Sequence, residues 1–152
     1  MQEKINIHID YEFINWNKYI NLERVNKFLA NKIKQEEKSF IVFNVKERYL
    51  GEYPIALTIK PHFSHKKSDL DNFRMKGLID GLVAAGVIEN DNLTKINKIT
   101  LEPIFDGKTG VDVMICANKK EDKDVLKDFI NNLSEEEKNK LRKHIAEVEK
   151  DG

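Results

Sequence analysis

An α+β domain, with a mixed β-sheet flanked by helices and a helical extension at its C-terminal end, is the fold the sequence predicts. Three observations predict it. Short stretches of alternating or β-branched residues are interspersed with amphipathic ones, runs of strand with helices between them. No internal repeat or low-complexity tract breaks the pattern. After Asn118 the composition turns to charged helix formers. An α+β core is therefore expected over residues 1–118, with 119–152 as a helical extension of the same domain. A chain of 152 residues is long enough to bury one core without disulfides.

Taken in order, Ile5, Ile7 and Ile9 alternate with Asn6, His8 and Asp10, the period of a strand with one buried face. Tyr11 to Asn21, polar and aromatic, reads as a loop. Leu22, Val25, Leu29, Ala30 and Ile33 recur at helical spacing, so an amphipathic helix with a basic outer surface is expected from Leu22 to about Glu36. Ser39 to Val45 and Tyr53 to Phe63 are rich in β-branched and aromatic residues and read as two strands, with Pro61 marking an edge or an exit from the sheet. Met75, Leu78, Ile79, Leu82 and Val83 form one stripe, which predicts a helix from about Asn72 to Ala85, opened by Asp71 as N-cap and closed at Gly86. Leu93 to Ile104 and Gly110 to Ala117 read as a strand hairpin about the turn-rich Asp106–Gly110 link. In the extension, a break is expected at Asn131-Asn132, and Ser134 with Glu137 has the spacing of a capping box.

Composition excludes several function classes. The 26 basic and 26 acidic side chains cancel, so attraction to a nucleic acid would have to come from local clusters or a metal. A lone cysteine, Cys116, allows neither an internal disulfide nor a cysteine-based zinc site, and reads as an inert core thiol. No apolar run approaches the roughly 20 residues of a membrane span, and Met1 to Lys4 lack the apolar core of a signal peptide, so no membrane association and a cytoplasmic setting are expected. His8, His62, His65 and His144 show no metal-ligand spacing and read as structural or surface residues, His65 being a weak phosphate-contact candidate.

The chemistry concentrates at Lys66-Lys67-Ser68-Asp69-Leu70-Asp71-Asn72 and at Gly86-Val87-Ile88-Glu89-Asn90-Asp91. Hard divalent cations prefer carboxylate oxygens and bind through one or two of them plus substrate phosphate. If the chain is still extended at Asp69 and Asp71, both side chains leave the same face. A helix of about 14 residues carries the chain outward by roughly 21 Å, and five or six extended residues after Gly86 return it by about 17–20 Å, so Asp91 can reach the same place. Each residue also has a plainer reading. Asp71 can cap a helix, Asp91 can serve a turn, and Lys76 with Asp80 can be a surface ion pair. Lys66, Lys67 and Arg74 are either a solvated cluster or phosphate contacts beside a metal. A calcium loop from Asp69 fails, because Arg74 stands where it needs glycine and Asp80 where it needs a bidentate glutamate.

At these residues the chain resembles the RusA family of crossover junction endodeoxyribonucleases, the Holliday junction resolvases often carried by phages and prophages. The resemblance rests on Asp69-Leu70-Asp71-Asn72, on Lys76 with Asp80, and on Gly86 to Asp91 followed by the Lys98–Ala117 segment, and it covers roughly residues 54–117. It implies an enzyme, a metal-dependent endodeoxyribonuclease that acts in DNA recombination and repair as a homodimer and resolves four-way junctions by paired symmetric nicks. It further implies Asp69, Asp71 and Asp91 as catalytic ligands of Mg2+, for which Mn2+ can substitute, with Lys76 as an accessory catalytic residue. Lys66, Lys67, Asn72 and Arg74 are the expected DNA contacts. Two departures stand out. The acidic pair before the hairpin is Asn90-Asp91 here, and one extra residue separates Asp71 from Lys76, so Arg74 is an alternative source of the positive charge. These departures keep open a junction-binding phage accessory protein that does not cut, and a nuclease for another branched nucleic acid.

Overall fold

The computed structural model describes residues 4–64, 69–119 and 122–150, in two compact units divided between Asn118 and Lys119. The first unit is the α+β domain. It runs β1 (Lys4–Ile9), α1 (Trp16–Val25), α2 (Lys27–Asn44), β2 (Ile55–Pro61), α3 (Met75–Ala84), β3 (Ile96–Leu101) and β4 (Val111–Ala117). The second holds α4 (Asp122–Asn132) and α5 (Glu135–Lys150).

The four strands form one mixed sheet in the order β1-β4-β2-β3. β4 lies antiparallel to both β1 and β2, while β2 and β3 run parallel, joined by a crossover through α3. The expected hairpin is thus corrected: β3 and β4 are not partners, because β2 stands between them. Pro61 ends β2, a central strand, and so marks an exit rather than an edge. Along β1, β2 and β4 every second residue is buried, and Ile5, Ile7, Ile9, Ile55, Leu57, Ile59, Val111, Val113 and Ile115 build the inner face. Ile41 of α2 and Leu78, Ile79 and Leu82 of α3 join that face in one core. Asn6, His8, Thr58, Lys60, Asp112 and Met114 alternate with these core residues and line a hollow of about 420 Å³.

Three further expectations are revised. Tyr11–Asn21 is only partly a loop, since Asn15 accepts from the Lys18 N–H at 2.9 Å and opens α1 at Trp16. The single helix from Leu22 is two helices hinged at Asn26, whose N–H donates to Leu22 O at 2.7 Å while its side chain accepts from Leu29 N at 3.0 Å. Ser39–Val45 is no strand but the end of α2 and its cap. Its Phe40-Ile41-Val42-Phe43 run sends only Ile41 fully into the core and leaves Phe43 exposed, a helical distribution. Cys116 is half-buried in β4. In the second unit the capping box forms as expected, Ser134 N donating to Glu137 Oε2 at 2.8 Å and Glu137 N to Ser134 Oγ at 3.3 Å.

α3 ends where expected, and its closure is complete in both bonds. Gly86 sits at φ +69°, its N–H donates to Val83 O at 3.0 Å, and Val87 N–H donates to Leu82 O at 2.9 Å, the paired bonds of a Schellman motif. No side chain or backbone lies within contact of a Cβ built at Gly86, so a substitution there meets strain but no clash. Gly86→Ala is therefore expected to cost about 1–2 kcal/mol, the left-handed penalty alone, measured as a lowered urea midpoint with unchanged slope.

Candidate functional site

The cleft beside α3 collects three of the sequence-derived residues. Asp71, Lys76 and Asp91 line one depression of about 420 Å³ with Trp16, Phe73, Met75, Ile79, Ile96, Ile99 and Leu101. Two exposed carboxylates and an ammonium thus sit at the rim of an apolar floor. Neither the Asp71 nor the Asp91 carboxylate takes a hydrogen bond or ion pair from the described residues.

The plainer readings of the two aspartates fall to other residues. α3 begins at Met75 with Arg74 as its cap position and no side-chain cap bond, so Asp71 does not cap it. Asp71 lies instead in a single 3-10 turn, Leu70–Asn72, stitched by Asn72 N to Asp69 O at 3.1 Å. Beyond α3 the turn is made by the asparagines. Asn90 Oδ1 accepts from Asp91 N at 2.8 Å and Asn92 N at 3.2 Å, and Asn92 Oδ1 accepts from Thr94 N at 3.1 Å. Asn90 stands where an acidic pair would begin, and its amide holds the loop while the Asp91 carboxylate projects from it.

Full convergence of the three aspartates is not reached. Among the described residues, the one trio of His, Cys, Asp and Glu side chains with ligand atoms all within 4.8 Å of one another is His8, His62 and Asp112. Two local conformations explain this. The chain is extended at Asp69 but enters the 3-10 turn at Leu70, so Asp69 and Asp71 do not share the face of one strand, and Asp69 is absent from the cleft lining. After Gly86 the chain bends through successive turns up to Lys95 instead of running back extended.

Of the expected DNA contacts, Lys66 and Lys67 lie outside the described residues, as does His65. Asn72 is half-buried and its Oδ1 accepts from Asn17 N at 3.0 Å, which ties the Asp71 turn to the first turn of α1. Arg74 is a correction. Its side chain is 2 % exposed and pairs with the equally buried Glu37 of α2, so neither phosphate nor substrate can reach it. Burial pushes its guanidinium below the usual range, partly offset by the nearby Tyr19 and Asp80. The guanidinium also stands 4.6 Å from the centroid of the Tyr19 ring, on α1. A Cβ at Gly77 would come within 2.6 Å of Arg74 Nη2 and 2.9 Å of Glu37 Oε2, so the absence of a side chain there makes the pair possible.

With Arg74 committed to the core, the accessible cation of α3 is Lys76. Its side chain is 61 % exposed and reaches Asp80 Oδ1 at 3.1 Å. That ion pair matches the plainer reading, while Lys76 itself lines the cleft. Two features escaped the sequence. Trp16 entered the cleft because Asn15 starts a helix where a loop was expected, a start signalled by an asparagine at cap spacing. The His8, His62 and Asp112 cluster had no local signal at all, since its members are 50 to 104 residues apart.

Compared with family models and with curated proteins, the chain matches none.

Removing one partner of the Arg74–Glu37 pair should be far costlier than removing both. Arg74→Met alone is expected to lose about 3–5 kcal/mol in urea unfolding, and Arg74→Met with Glu37→Met to regain most of it. A neutral single substitution would show that the pair does not hold these helices.

Proposed function

We propose that the chain is a Mg2+-dependent, structure-selective DNA endonuclease of the RusA type, cytoplasmic, cutting four-way junctions as a homodimer. The observation that carries this reading is one cleft lined by Asp71, Asp91 and Lys76, with both carboxylates free of protein partners among the described residues. The donor set fits the ion: Mg2+ is a hard cation that takes one or two carboxylates and completes its shell with water and phosphate. Asp71 and Asp91 would hold it, with Asp69 next along the chain as the further ligand that the resemblance suggests. When bound, the ion supplies Lewis-acid stabilisation of the phosphate and activation of water.

The chain's own residues account for the rest. Lys76 offers a point charge to a phosphate oxygen on the same side of α3 as the two aspartates. Asp80 restrains that ammonium without neutralising the cleft, because the pair is largely solvated. Trp16 and Phe73 add aromatic surface against which an unstacked base or sugar can lie, a feature of branched rather than continuous duplex. With equal numbers of acidic and basic groups overall, binding depends on this local arrangement rather than on a bulk positive field. A two-fold dimer would place one such cleft on each of two opposed strands of a junction.

A second reading has its own support. The three aspartates are not drawn within metal-sharing reach as a set, which favours a branched-DNA-binding accessory protein that does not cut. A labelled synthetic four-way junction, incubated with Mg2+ or with chelator and resolved on a denaturing gel, separates the two. Paired symmetric nicks with Mg2+ are expected, and binding without nicks would favour the accessory protein. Asp71→Asn should lower nicking by about a hundredfold or more while leaving junction affinity unchanged. Cutting at the wild-type rate would remove Asp71 from the metal site.

A further inference from the structure

A second constellation, chemically distinct from the aspartate cleft, lies at the hollow formed by the residues that alternate with the core, with His8 and Asp112 in its lining. His8 lies on β1 directly opposite Asp112 on β4, and Lys60 on β2 lies opposite the same aspartate from the other side. His62, two residues beyond Lys60, turns its ring toward the same carboxylate. The contacts are His8 Nδ1 to Asp112 Oδ1 at 2.5 Å and His62 Nε2 to Asp112 Oδ2 at 2.9 Å. The two imidazoles meet edge to face with centroids 5.7 Å apart.

We propose that His8 Nδ1, His62 Nε2 and an Asp112 oxygen form a Zn2+ site, with water as fourth ligand from the open hollow. Imidazole nitrogen and carboxylate oxygen are the donors that borderline divalent ions such as Zn2+ select. One ligand atom from each residue already lies within 4.8 Å of the other two. In a tetrahedral site with bonds of about 2.0–2.1 Å, donors stand about 3.3 Å apart. The present contacts, 2.5 Å to one Asp112 oxygen and 2.9 Å to the other, would lengthen toward that separation as one oxygen turns to the ion.

The observation that points to a metal rather than to a simple polar network is the far side of His62. Its Nδ1 is bonded to Asp106 at 2.9 and 3.0 Å, the carboxylate–histidine arrangement that orients a ligating imidazole and directs the other nitrogen's lone pair at the metal. His62 itself is 7 % exposed and so held in one pose, whereas His8 and Asp112 are 52 % and 41 % exposed and open to an entering ion. Lys60, the lysine lining the hollow among the described residues, is drawn aside to Glu102 at 3.1 Å. An ion would take the place of the proton that His62 Nε2 shares with Asp112.

The site is tested with the full chain carrying Asp71→Asn and Asp91→Asn, so that the aspartate cleft contributes nothing and the result stands apart from the nuclease reading. After chelator treatment, Zn2+ titration by calorimetry is expected to give one ion per chain, and Co2+ to give the intense visible absorption of a four-coordinate centre. His62→Ala should weaken binding by at least a hundredfold. Because that side chain is buried, His8→Ala at the exposed strand is the parallel variant and should lose the Co2+ spectrum in a folded protein. Asp106→Asn, which touches no ion, should weaken binding by about 10–100-fold. Absence of stoichiometric binding, or unchanged affinity and spectrum in His8→Ala, would overturn the proposal.

Discussion

The buried Arg74–Glu37 pair is the constraint on which the half of the domain around the candidate cleft depends. It sits where α1, α2 and the start of α3 meet: Glu37 comes from α2, Arg74 precedes α3, and the Tyr19 ring of α1 lies against the guanidinium. Glu37 also accepts from Ile14 N at 3.2 Å, so the segment entering α1 is held by the same carboxylate. Two buried charges are weak evidence for stability, since desolvation consumes much of their attraction. What such a pair supplies is location, because a charge without its partner is intolerable in a core and few geometries satisfy both. Here the location is the origin of α3. Arg74 stands between the Asp71 turn and Lys76, so the pair sets where both project. Gly77 completes the arrangement by leaving room that any side chain would fill.

The sheet shows how far local pattern reached and where it stopped. Alternation in β1 was plain in the sequence, as were the β-branched and apolar composition of β2 and β4, the α3 stripe with its Gly86 closure and the Ser134 capping box. Each of these depends on residues within a few positions of one another. Strand order does not. A turn-rich link such as Asp106–Gly110 serves a hairpin and a longer passage equally well, and only the pairing of β4 with both β1 and β2 decides which is made. The misread end of α2 has the same origin. Phe40 to Phe43 is as apolar as a strand, and its helical state follows from Ala30, Glu37 and Ile41 facing the core at spacings of seven and four. A glutamate on that stripe hid the period until its arginine partner was known.

For the candidate site, the residue identities were legible and their spatial relation was only half so. Asp71, Lys76 and Asp91 share a cleft because α3 and β3 border one groove. The simple picture of an extended run, a helix and an extended return fails at both ends, where short hydrogen-bonded turns replace extended chain. Those turns are written in asparagine: Asn72 fastens the first to α1, and Asn90 with Asn92 builds the second. Asparagine's side chain competes with backbone partners and favours such turns, so these positions carried a usable signal.

One strand end serves both faces of the domain. β2 reaches Pro61, and the chain stays bound on either side for two residues more, His62 N donating to Gly110 O at 3.0 Å and Phe63 N to Ile104 O at 2.8 Å. Those bonds fix the backbone from which the His62 ring reaches Asp112 and Asp106. Further along the sequence lies the turn that carries Asp71. The inner face of β4 fills the core with Val111 and Val113 while Asp112, between them, faces His8 and His62. A shift of register by one residue between β4 and its neighbours would put a charge into the core and break the outer cluster together. The core and the histidine–aspartate constellation are therefore specified by the same pairing, which is why a cluster with no local sequence signal can still be held to within hydrogen-bond distance.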